Sequence, residues 1–172
     1  SEVPAPNLAA RGMAPHDIET GGVEGQVMRI QESDPRAGIP WHRDRFLGYA
    51  QINHTFVVFD EDNWQGTQKR IAGFFSYEIK GGDQEAADPE PERGEIVHFG
   101  IDPEYAGSGQ VDRKMMEWFR WKHLGLAVTA LVREDDDKAA EFFKKMASTS
   151  QLVPNELSEE RDFLLFTLSG GA

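Results

Sequence analysis

At 172 residues the chain has the length of one domain with its own hydrophobic core, which needs no metal or disulfide staple. Its 30 acidic against 18 basic side chains give a formal charge of −12, a field that repels phosphate backbones and anionic lipid surfaces and attracts amines and basic peptides. The absence of cysteine excludes disulfide scaffolds, thiolate metal sites and cysteine nucleophiles.

Residues 1–22 are rich in Pro, Gly and Ala, show no sustained period and lack the apolar stretch of a secretory signal; they read as an N-terminal arm or tail before a single domain over 23–172. No apolar run approaches the roughly 20 residues of a membrane helix, so a soluble, cytoplasmic protein is expected. GQVMRI (Gly25 to Ile30) reads as a short strand, and the aromatic-rich IPWHRDRFLGYAQ is helical in part. HTFVVFDED (His54 to Asp62) and KRIAGFFSYEIKG (Lys69 to Gly81) are β-rich runs joined by the polar NWQGTQ, which predicts a hairpin. The charged, proline-bearing GDQEAADPEPERG predicts an exposed loop.

GEIVHFGI (Gly94 to Ile101) follows as a strand, and strict alternation sets Glu95, Val97, Phe99 and Ile101 on one face and Ile96 and His98 on the other. After a Gly-rich turn, Val111 to Leu124 has helical spacing and ends at Gly125, a natural residue beyond a helix C-terminus. LAVTALVRE (Leu126 to Glu134) predicts a buried strand. DDDKAAEFFKKM (Asp135 to Met146) predicts an amphipathic helix with acids in its first turn and lysines in its last, and DFLLFTLS (Asp162 to Ser169) a final strand.

In GIDPEYAGSGQVDRKMM a strand ends, Gly107 and Gly109 supply a turn and a helix starts at once. Such a junction aims backbone N–H groups and the positive end of a helix dipole at one spot, which suits phosphate. It is neither a Walker loop, since no Gly-Lys-Ser/Thr follows, nor a dinucleotide fingerprint, since Asp112 stands where the third glycine belongs.

From Glu95 to Met146 the chain resembles the GNAT (general N-acetyltransferase) family, with IDPEYAGSGQV at the acetyl-CoA loop, LGLAVTALV as the next strand and DDKAAEFFKKM as the second helix. The resemblance implies a mixed α/β fold with a mostly antiparallel twisted sheet flanked by helices and a splay between its central parallel strands. It implies acetyl-CoA as co-substrate, with Phe99, Gly100 and Ile101 along the pantetheine arm and the amides of Gly107, Ser108, Gly109, Gln110 and Val111 around the pyrophosphate. Four positions depart from the family pattern. Ala106 stands where Arg or Gln precedes the loop glycine, and Val111 stands at a small-residue position where its Cβ is expected to crowd the phosphate. Asp136 replaces an Asn, and Phe143 replaces the Tyr that protonates the leaving thiolate.

Acyl transfer to an amine needs a base for the ammonium and a proton for the thiolate. Glu95 is the candidate base, as a glutamate beginning this strand is in the histone-acetylating branch of the family; a solvated Glu at a strand start is the competing reading. His98, facing the other way, reads as a packing residue. Tyr105 is read first as a wall of the loop and second as an acid, beside Ser108 and water, so the acid stays unassigned. Trp118 and Trp121 beside Phe119 read as core and stem packing rather than a base-stacking platform. His16, His42, His54, His98 and His123 lack paired metal spacing, and Glu134, Asp135, Asp136 and Asp137 read as a helix start, so no metal is expected.

The resemblance implies an acetyltransferase acting on a small-molecule amine or a basic peptide, and no nucleic acid or membrane partner is expected; a homodimer is left open. The alternative is a catalytically weakened module that binds an acyl-CoA or a protein, favoured by Ala106, Val111 and Phe143. Acetylation of charged tRNA is disfavoured by the acidic surface.

Overall fold

Two runs of β-branched and aromatic residues lie end to end in the sequence, and in the computed structural model they form a long hairpin within a seven-stranded sheet. The structure describes residues 6–13, 17, 22–33, 43–51, 54–106, 110–123, 125–133, 137–153 and 163–168. The strands are β1 (Leu8–Gly12), β2 (Thr55–Gln65), β3 (Gln68–Lys80), β4 (Arg93–Ile101), β5 (Ala127–Arg133), β6 (Ala147–Val153) and β7 (Phe163–Leu168), in the order β1-β2-β3-β4-β5-β7-β6. The helices are α1 (Gly22–Ser33), α2 (Arg43–Gln51), α3 (Gln110–Lys122) and α4 (Asp137–Met146). All neighbouring strands are antiparallel except β4 and β5, which α3 joins by a crossover.

One sheet face is covered by α3 and α4. The side chains of Val111, Met115, Met116 and Phe119 share one stripe of α3 and pack on Phe56, Phe75, Tyr77, Ile96 and Phe99, with Phe143 of α4 in the same core. The approach of α3 explains Gly73: a Cβ there would lie 2.6 Å from Val111 Cγ1 and 2.7 Å from Met115 Cε. Beyond α3, Gly125 takes the left-handed conformation (φ +80°) expected just past a helix end. The opposite face carries a second core in which Val23, Val27 and Ile30 of α1 and Ala50 of α2 meet Val57, Ile71 and Phe74.

Two readings are corrected here, and one strand that was not predicted is added. GQVMRI is helix, because Val23, Val27 and Ile30 recur at helical spacing and bury one stripe; the short apolar window hid that longer period. Residues 8–12, read as part of an arm, form β1, with Leu8 opposite Asp60 and Gly12 opposite Phe56. The polar ASTSQLV forms β6, beside β7. The hairpin turn is also tighter than the polar linker suggested, since β2 runs through Gln65 and β3 starts at Gln68. The loop over 81–92 is exposed throughout, as its composition predicts.

Candidate active site

A single extra residue shapes the centre of the sheet. Along β3 the partners step from Tyr77↔Ile96 to Ser76↔His98, so Val97 is a β-bulge in β4. The β4–β5 register ends beside the same residue: its last pair is Ile96↔Ala130, although β4 runs to Ile101 and β5 to Arg133. Bulge and strand separation therefore coincide, and the sheet opens between Val97–Ile101 and the second half of β5.

The bulge also changes which residues share a face. Gly94 points at Phe119 of α3, and Ile96, Phe99 and Ile101 belong to the same core. Glu95 lies opposite Glu78, and His98 opposite Ser76, on the other face. Glu95 and His98 thus stand on one side, contrary to strict alternation, because the bulged Val97 shifts the alternation by one residue.

On that face a polar cluster interrupts the apolar layer under α2. His98, Thr55 and Ser76 are fully buried, and Glu95 is 6% exposed. The hydroxyls of Thr55 and Ser76 bond to each other at 2.7 Å, and the Tyr49 hydroxyl of α2 donates to the Glu78 carboxylate. The Tyr49 ring meets His98 edge-on at 5.7 Å. Lys80 Nζ lies 2.5 Å from Glu95 Oε2 and 3.6 Å from Glu78 Oε2. Burial works against the Lys80 ammonium, but the hydrogen bond and charge of Glu95, joined by Glu78, raise its pKa. Sequence reasoning missed Tyr49, Glu78 and Lys80. The signal for two of them was present, since Ser76, Glu78 and Lys80 are alternate polar residues in the otherwise apolar stretch from Ile71 to Lys80.

The turn that leaves β4 is held from two sides. Buried Asp60 accepts hydrogen bonds from the Tyr105 hydroxyl (2.7 Å), the Asp62 amide (3.1 Å) and Asn63 Nδ2 (2.7 Å). Burial alone would raise the Asp60 pKa, but these bonds, with Arg70, hold it below the usual carboxylate value. Arg70 reaches Asp102 at 3.2 Å and Glu104 at 2.9 Å and stacks over the Tyr105 ring at 5.3 Å. Tyr105 is a structural post here. Its hydroxyl is committed to Asp60, and burial, reinforced by that carboxylate, pushes its pKa far up.

The remaining candidates separate by place. Phe99, Gly100 and Ile101 occupy the part of β4 beyond the separation, Ala106 lies exposed in the turn, and Gln110 opens α3. Val111 is 1% exposed and packs over Gly73, so its side chain points into the core. Phe143 is buried and meets Phe99 at 5.4 Å between ring centres, which ties α4 to β4 across the opening. Gly107, Ser108, Gly109 and Asp136 lie outside the described residues. The tryptophans divide: Trp118 stacks on Phe56 at 4.3 Å, whereas Trp121 is 78% exposed. Among the described residues there is no metal-ligating cluster and no helix long and apolar enough to cross a membrane.

At the level of sequence, no family model and no curated protein matches the chain. Solved structures do match in three dimensions. Arabidopsis thaliana NAA60 in complex with acetyl-CoA aligns over 94% of this chain and 98% of its own, at 15% identity and a TM-score of 0.64. The NatC complex bound to Gag peptide and CoA aligns over 94% and 97%, at 12% identity and a TM-score of 0.65. The ribosomal-protein-S18-alanine N-acetyltransferase from Escherichia coli aligns over 96% and 95%, at 15% identity and a TM-score of 0.54. With nearly the whole of each chain aligned, this protein has the fold of the GNAT N-acetyltransferases.

Proposed function

We propose that this protein is an N-acetyltransferase that moves the acetyl group of acetyl-CoA to the primary amine of a basic peptide or small molecule. The observation that carries the proposal is the coincidence at Val97, where the bulge, the separation of β4 from β5 and the buried polar face with Glu95 and His98 meet. Acetyl-CoA supplies an activated acyl carbon. The open edge of β4 over Phe99, Gly100 and Ile101 suits an extended pantetheine arm, and Gln110 and Val111, at the first turn of α3, suit an anion through their backbone N–H groups. The resemblance extends this cradle to Gly107, Ser108 and Gly109, and places Asp136 at the Asn position of the second helix.

Glu95 is the base that takes a proton from the acceptor ammonium, and the paired carboxylates of Glu95 and Glu78 suit a cationic acceptor. The net charge of −12 and the peptide bound to NatC support a peptide amine. Phe143 has no proton to donate and Tyr105 is bonded to Asp60, so the thiolate takes the proton released as the amide forms. A thiol pKa near 8.5 requires no strong acid for that step.

Thermal melting with acetyl-CoA tests the first half of the reading. A ligand present at about 100 times its Kd stabilises the native state by about 2.7 kcal/mol, and no rise in Tm at such excess would sink the proposal. An acceptor screen comparing wild type with Glu95→Gln tests the second half. A specific observation favours a second reading, an acyl-CoA-binding module without transfer: Lys80 already sits on Glu95. Binding without turnover on any amine would select it.

A further inference from the structure

The nitrogen that Glu95 deprotonates has to lie within hydrogen-bond reach of its carboxylate. One amine of this chain is already there. Lys80 Nζ is 2.5 Å from Glu95 Oε2, it extends from the last position of β3, and its side chain is 44% exposed against 8% for Glu95. The neighbouring contacts hold it in place from one side, since Glu78 Oε2 lies 3.6 Å away and the other oxygen of Glu78 accepts from Tyr49. Lys80 therefore occupies the position that the proposed mechanism assigns to an acceptor amine.

We infer that Lys80 is an acetylation site of the protein's own making, modified in cis by acetyl-CoA; the inference rests on the proposed role of Glu95. Glu95 takes one proton from the Lys80 ammonium. The Nζ lone pair then forms the N–C bond to the acetyl carbon, the C–S bond breaks, and the second nitrogen proton passes to the departing thiolate, leaving an amide and coenzyme A thiol. The product amide carries no positive charge, so the ion pair with Glu95 and Glu78 is lost. Acetylation in this way clears the cation from the carboxylates and makes room for an external ammonium. Unmodified Lys80 is the competitor that such an acceptor must displace.

The full-length chain, incubated with acetyl-CoA alone and followed by intact mass and peptide mapping, tests this. The expected result is a single acetyl group on Lys80, added at a rate independent of protein concentration. It is absent in Lys80→Arg and slowed on the order of 100-fold or more in Glu95→Gln, as loss of a general base requires. Circular dichroism and Tm of both variants establish that they fold. Turnover of an external amine with Lys80 left unmodified overturns the inference and spares the proposed function. A Lys80 acetylated equally fast in Glu95→Gln, or at a rate that scales with protein concentration, also overturns it, since the modification is then uncatalysed or made in trans. Bound acetyl-CoA with no acetyl transferred to any amine overturns the inference together with the transferase reading on which it rests.

Discussion

The two faces of β4 carry different chemistry. Toward α3 it presents Gly94, Ile96, Phe99 and Ile101 to a layer made of Phe75, Tyr77, Met115 and Phe119, and nearly every contact there is apolar. Toward α2 it presents Glu95 and His98 to Ser76, Glu78 and Tyr49. The first face stabilises the fold through area removed from water, at roughly 25 cal/mol per Å². The second sets polar groups in a buried layer, which is costly unless they are bonded, and a protein retains such a cluster where function needs it. The core is thus broken by polar groups on one side of β4 and kept whole on the other.

The largest effects are expected on the apolar side. Phe119 is fully buried, its ring touches the space beside Gly94, and it meets Tyr77 edge-on at 5.1 Å. Phe119→Ala is expected to lower the unfolding free energy by about 3–5 kcal/mol in a denaturant titration. On the polar side Glu95→Gln keeps the shape and removes the proposed base. It is expected to lower kcat on the order of 10²- to 10⁴-fold with little change in Tm, and an unchanged kcat would remove Glu95 from the mechanism.

Smaller effects sharpen the picture at the edges. Tyr105→Phe removes one of three hydrogen bonds to buried Asp60 and is expected to cost about 1–3 kcal/mol, with acid unfolding moved to higher pH. The lowered pKa of Asp60 stabilises the native state above the unfolded value of 3.8, a contribution lost as pH falls through the folded value. The end of the apolar face has its own pH response. His54 stacks on Tyr77, and His123 Nε2 lies 2.6 Å from the Tyr77 hydroxyl, whose pKa burial raises to about 12. Burial, then Lys122, lowers the pKa of both imidazoles below 6.5. Below pH 6.5 the unfolded chain therefore binds protons first, so Tm should fall between pH 7 and 5 and stay level above 7.5. His54→Phe, which keeps the stacking on Tyr77, should flatten that slope in part. Least of all should matter Trp121→Ala at a 78% exposed position, with a change within about 0.5 kcal/mol.

Much of the architecture was legible because long runs carry their own period. The strands from 54 to 80, the strand ending at Ile101, α3 and α4 all follow from side-chain spacing and from the turn residues around them. What escaped was short or polar. Leu8–Gly12 is strand only because β2 offers an edge, and ASTSQLV only because β7 does. Glu95 was legible as a candidate, but its neighbours were not, since alternation placed His98 on the wrong face and Tyr49 arrives from a distant helix.

The order of the central elements, the excess of acidic side chains and the chemistry on offer are written in the chain, because composition and period are local properties. The candidate site depends on how the strands meet. A bulge exists between two strands and not within one, and the single residue Val97 that β3 leaves over turns Glu95 and His98 to the same side. The meeting of Lys80 with Glu95 likewise depends on β3 and β4 lying in that register, and Val111 packs inward because α3 comes close enough to Gly73 to exclude a side chain there.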